Sequence, residues 1–125
     1  MAPEQSWTVE AANAALPRVA ARIERIQALL VRAAEARQGG ERLAGGNGHA
    51  PAAAADAELV AAVEALEAEG IVLRDAGAGL VDFPARTADG RTYLLCWVLG
   101  EPEVGWWHWP ESGFAGRRPL SEPPG

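Results

Sequence analysis

Apolar positions follow two different rhythms along the chain. From Pro17 to about Arg37, Val19, Ile23, Ile26, Leu30 and Ala33 recur at spacings of four and three, which predicts one apolar stripe along a long helix. Ahead of it, Thr8 suits a helix N-cap, Trp7 is placed as a hydrophobic staple, and Glu10 falls in the first turn, so Val9–Leu16 reads as a short helix. Pro17 lacks a backbone donor and crowds the carbonyl of Asn13, which predicts a break or kink at that point. Gly39-Gly40 should end the long helix, and residues 39–51 read as a flexible connector. A second long helix is expected from Ala52 to Glu69, with Leu59, Val63 and Leu66 as its stripe and Gly70 as a left-handed C-terminal cap.

After Gly70 the period shortens to that of strands. Ile71–Arg74, Leu80–Arg86, Thr92–Leu99 and Val104–Trp109 read as extended segments, with Pro84 marking an edge or bend. Asp89-Gly90 predicts a two-residue hairpin turn, and residues 100–103 a four-residue turn. The expected architecture is α+β: a long antiparallel helical hairpin, preceded by a short helix, packed on one face of a small antiparallel β-meander of three to four strands. It forms one domain over residues 1–125, with a helical part at 8–70, a β part at 71–109 and an irregular tail at 110–125.

The two turns set a register. Phe83 should face Cys96, Asp82 should face Trp97, and Trp97 should face Trp106. Alternation then puts Val81, Phe83, Ala85, Leu94, Cys96, Val98, Trp107 and Trp109 on the core side. Asp82, Arg86, Tyr93, Leu95, Trp97, Val104, Trp106 and His108 gather on the other side. That second face joins an acid, a base, an imidazole and aromatic rings, and is the first place to look for a site.

Charge narrows the choice of partner. The chain carries 11 cations, all arginine, against 17 carboxylates, a formal net charge of −6. Such a balance argues against binding nucleic acid through its phosphates. The arginines concentrate on the first long helix and the acids on the second, as expected of antiparallel neighbours. No apolar run reaches membrane-spanning length and the N-terminus is not a secretory signal, so the expected address is cytoplasmic, with no membrane association.

The chemistry-bearing candidates are His108 as acid or base, with Asp82 or Glu101 assisting. Arg86, Tyr93, Trp97 and Trp106 are ligand-binding or interface candidates, and Arg117 and Arg118, set among Gly113, Phe114 and Gly116, could grip an anion. The single cysteine, Cys96, excludes an intramolecular disulfide and reads as a small buried hydrophobe. A metal site of Cys96, His108 and a carboxylate fails on the predicted register, because Cys96 and His108 point to opposite faces. No cofactor-binding motif is present either.

One family resemblance spans nearly the whole chain. Trp7–Pro17, Asp75, Gly79–Pro84, Cys96-Trp97, Gly100-Glu101, Trp107-His108 and Gly113–Arg117 resemble the blocks of a bacterial family catalogued as domain of unknown function 2203. Ala11 departs from that pattern, standing where an acidic residue is expected, and so does Trp109-Pro110 after His108. The resemblance implies a bacterial single-domain protein and no particular reaction.

Three function classes follow. The first is an interaction or structural module, most simply a homodimer that buries Tyr93, Leu95, Trp97 and Trp106. The second is a module for a small anionic ligand, using the same face and the Gly/Arg-rich tail. The third is an enzyme built on His108.

Overall fold

The computed structural model describes residues 6–42 and 49–124. In chain order the elements are α1 (Val9–Arg42), α2 (His49–Ala68), β1 (Val72–Asp75), β2 (Leu80–Arg86), β3 (Thr92–Val98), β4 (Trp106–His108), a 3-10 turn (Phe114–Gly116) and β5 (Arg118–Pro119). The strands form one five-stranded sheet in sequential order, every neighbour antiparallel. The fold class is therefore α+β. The expected count of three to four strands falls short of the observed five, because the tail read as irregular supplies β5. No helix among the described residues is long and apolar enough to cross a membrane.

Thr8 caps α1 as its sequence suggests, its Oγ1 accepting the Ala11 N–H at 3.0 Å. Two expectations for this helix need correction. Pro17 does not break it: α1 is continuous over 34 residues with Pro17 inside. The physical reason is the buried stripe, in which Ala12, Ala15, Leu16, Val19, Ile23 and Ile26 run unbroken past Pro17 while the proline itself is exposed. A lost hydrogen bond on the solvent side is offset by water, and packing on the core side fixes the axis. Nor does Gly39-Gly40 end the helix, which continues to Arg42. Of the expected connector, residues 43–48 lie outside the described residues. Leu29 replaces Leu30 in the buried stripe, Leu30 being 39% exposed.

α2 closes on a Schellman motif. The Gly70 N–H bonds the Glu67 carbonyl at 2.9 Å, the Ile71 N–H bonds the Leu66 carbonyl at 3.0 Å, and Gly70 takes φ 78°. Arg18 pairs with Glu69, Arg25 and Arg32 with Glu58, and Arg37 with Asp56, so the two helices run in opposite directions. These groups are largely exposed, and each pair contributes about 0–1 kcal/mol.

At both turns in the sheet the register differs by one residue from that expected. Thr87 faces Arg91, with Thr87 N–H to Arg91 carbonyl at 2.8 Å, and Gly90 closes a three-residue loop at φ 89°. Thr87 Oγ1 accepts the Arg91 N–H at 2.9 Å and donates to Asp89, which favours the longer loop. At the next turn Gly100 takes φ 107°, and the Glu101 carboxylate accepts the Val98 N–H at 2.9 Å. Opposed pairs are therefore Val81 with Trp97, Asp82 with Cys96, and Phe83 with Leu95, then Leu95 with Trp107 and Cys96 with Trp106.

Two one-residue slips cancel between β2 and β4 but invert β3. Trp107 stays on the core side, and Trp106 and His108 stay beside Asp82, as expected. Leu95 and Trp97 join the core instead of leaving it, with Tyr93 packed partly buried against them. Leu94 and Cys96 move to the outer face. Val104 also corrects to the core. Trp7 closes one end of this core, its ring centre 5.1 Å from that of Phe83 in an edge-to-face contact and its indole N–H donating to the Glu69 carbonyl at 3.2 Å.

Candidate functional site

The outer face centres on Asp82, Cys96 and His108, which β2, β3 and β4 contribute in turn. All three are buried, Asp82 at 1%, Cys96 at 0% and His108 at 3% exposure, yet none belongs to the core beneath the helices. The tail is what covers them. After β4 it passes Pro110, Gly113 and Phe114 over the sheet and returns as β5 beside β4. Two bonds anchor that return: Leu120 N–H to the Gly105 carbonyl at 3.0 Å, and the Trp107 indole N–H to the Glu122 carbonyl at 2.7 Å.

His108 is held at both ring nitrogens. Nδ1 lies 2.8 Å from the Trp109 carbonyl oxygen, which can only accept, so Nδ1 carries a hydrogen and donates it. Nε2 lies 3.1 Å from Asp82 Oδ1. The other carboxylate oxygen, Oδ2, accepts from Arg74 Nε at 2.7 Å. A buried carboxylate thus sits between an imidazole and a half-exposed guanidinium, a pairing that such burial requires. Among the described residues, no buried side-chain nitrogen or oxygen lacks a partner.

Cys96 faces the same cluster. The potential ligand atoms of Asp82, Cys96 and His108 all lie within 4.8 Å of one another. Arg117 approaches the sulfur, Nη1 donating to Sγ at 3.8 Å, while its Nη2 donates to Glu101 at 2.8 Å. Its guanidinium also stacks 4.6 Å from the ring centres of both Trp106 and Phe114. Burial pushes the Cys96 thiol up to about 11, the hydrogen bond from Arg117 working the other way. Cys96 is therefore a neutral thiol near pH 7 and a poor nucleophile as it stands.

A pocket of about 190 Å³ opens in front of this cluster, lined by Arg74, Leu80, Asp82, His108, Pro110, Gly113 and Phe114. Of the residues singled out from sequence, His108 and Asp82 meet here. Glu101 does not join them: it orients Arg117 and the β3–β4 turn, its backbone carbonyl also accepting the Trp97 indole N–H at 3.0 Å. Trp106 flanks the cluster beneath Arg117, whereas Trp97 and Tyr93 belong with the opposite face. Arg86 is exposed at the end of β2, and Arg118 lies 5.8 Å from the Trp107 ring, so neither lines the pocket.

Sequence reasoning missed Arg74 and assigned Cys96 to the wrong face. Arg74 carried no signal beyond closing a short strand. For Cys96 the signal was Thr87, whose hydroxyl stabilises a three-residue loop that Asp89-Gly90 alone does not distinguish from a two-residue one.

A family model described as "Uncharacterized conserved protein (DUF2203)" matches residues 5–120, and the chain belongs to that family. No curated protein and no solved structure matches the chain.

Proposed function

Starting from membership of a family with no assigned activity, we propose that this protein is a binding module for a small anionic molecule, taken up in the pocket over Asp82 and His108. The observation that carries the reading is the pocket's wall: a guanidinium, an imidazole and a phenyl ring line one small, half-open space. Arg74 spends only Nε on Asp82, and its two terminal nitrogens carry further donors in the fork geometry that suits carboxylate or phosphate. The volume of about 190 Å³ lies below the ~300–1,000 Å³ typical of drug-sized ligands. A short organic acid or an inorganic oxyanion fits that scale better than a nucleotide.

The competing readings have less to support them. Self-association through the outer face drew on Tyr93, Leu95 and Trp97, and burial of Leu95 and Trp97 beneath the helices removes most of that apolar area. An acid–base enzyme needs a ring nitrogen facing substrate, and both nitrogens of His108 are engaged within the protein.

The test is calorimetric titration with phosphate, acetate, oxalate and malonate. Binding of at least one anion is expected in the wild type and in Arg86→Ala, with a loss of tenfold or more in Arg74→Gln. Absence of heat and of thermal shift with every anion, or equal binding by Arg74→Gln, would overturn the reading.

A further inference from the structure

We infer that Asp82, Cys96 and His108 form a binding site for a divalent transition-metal ion of the zinc type, with its open coordination position toward the pocket. The inference does not depend on the pocket taking an anion.

Donor chemistry is the first support. One thiolate, one imidazole and one carboxylate are the mixed sulfur, nitrogen and oxygen set that suits tetrahedral zinc, and three protein ligands are the number that leaves a fourth position free. Distances agree. With metal bonds of about 2.0–2.3 Å, tetrahedral ligands stand roughly 3.3 Å apart for nitrogen–oxygen and about 3.6 Å for pairs with sulfur. Nε2 and the Asp82 carboxylate are already at 3.1 Å, and the sulfur lies within 4.8 Å of both. Closing the set asks the sulfur to approach by about 1 Å at most.

The groups behind the ligands are the second support. His108 gives its Nδ1–H to the Trp109 carbonyl, which directs the Nε2 lone pair into the cluster. Asp82 is oriented by Arg74, and the sulfur faces Arg117, which Glu101 holds in turn. Each candidate ligand thus has its own partner outside the cluster, the arrangement that fixes metal ligands in place. The same geometry shows what the ion would replace. With Nδ1 committed to donation, the contact from Nε2 to the carboxylate requires a cation between two electron-rich atoms, either a proton or a metal. Binding is an exchange: the metal forms bonds to nitrogen, oxygen and sulfur, and the protons of the Cys96 thiol and of the His108–Asp82 contact pass to solvent.

Cobalt(II) serves as the probe, added to full-length protein previously stripped with a chelator. The expected result is one equivalent bound, with a thiolate-to-cobalt charge-transfer band and visible bands of tetrahedral intensity, both displaced by zinc(II). Cys96→Ser should abolish the charge-transfer band, and His108→Gln should weaken binding by more than tenfold. Glu101→Gln, which touches no ligand directly, should weaken it by about 10–100-fold. A second readout needs no variant: zinc(II) should protect the chain's only thiol from a maleimide reagent at one equivalent. Cobalt that binds without a thiolate band, or thiol reactivity unchanged at saturating zinc, overturns the site. Anion titration of chelator-treated protein is read separately, so either the metal site or the anion pocket can fail alone.

Discussion

Asp82 and Cys96 stand directly opposite one another on β2 and β3, with both side chains on the sheet face turned away from the helices. That pairing places a thiol beside the buried carboxylate, and it follows from one residue in a turn.

Deleting Ala88 is expected to force the two-residue turn and invert β3 against β2. Leu95 and Trp97 would then face outward, and each buried large apolar side chain contributes about 1.5–3 kcal/mol. The two together lose about 3–6 kcal/mol, a large share of the roughly 5–15 kcal/mol that holds a small domain folded. Near-ultraviolet circular dichroism of the deletion variant should show no fixed tryptophan environment. A native-like spectrum would mean that the loop does not set the register.

Asp82 and Arg74 form one ion pair with unequal surroundings, their side chains being 1% and 48% exposed. Asp82→Ala removes the acceptor from a buried imidazole and should cost about 3–5 kcal/mol. Arg74→Ala takes one charge-assisted hydrogen bond from the side of the carboxylate that opens to the pocket, and should cost less, about 1.5–3 kcal/mol. Urea unfolding of the two variants checks the asymmetry, and equal costs would contradict it.

The Cys96 thiol gives a signed pH dependence. Its ordinary value of 9.0 applies to the unfolded chain, and burial raises it to about 11 in the folded one. Between those values the folded state keeps a proton that the unfolded state has released. The stabilisation is therefore fully present below pH 9 and is lost as pH rises toward 11. Metal-free wild type should lose urea midpoint across that window relative to Cys96→Ala. Parallel curves for the two proteins would show that the thiol is not held neutral.

These relationships were unevenly legible in the sequence. Helical period and the Gly70 cap were written plainly, because buried stripes and left-handed glycines have few alternatives. Strand parity was not. Asp89-Gly90 suits two turn lengths, and the bond from Val98 to the Glu101 side chain that shapes the next turn leaves no periodic trace. Two errors of one residue restored His108 to the side of Asp82 while reversing Cys96, so the cluster was half found. Pro17 misled for a related reason: a local rule predicted a break, and a long continuous core stripe outweighed it.

The length of α1 has a further consequence. Its 34 residues extend about 51 Å, more than twice the roughly 23 Å of the seven-residue strands. Gln27 still reaches the sheet, donating to the Ala76 carbonyl at 2.9 Å, but the buried residues further along, Leu29 and Ala33 with Ala52 and Ala55 of α2, lie outside the main core cluster. The far half of the helix pair is thus a cantilever secured by small side chains and surface charges. Lower protection from hydrogen exchange is therefore expected there than around the tail-covered cluster.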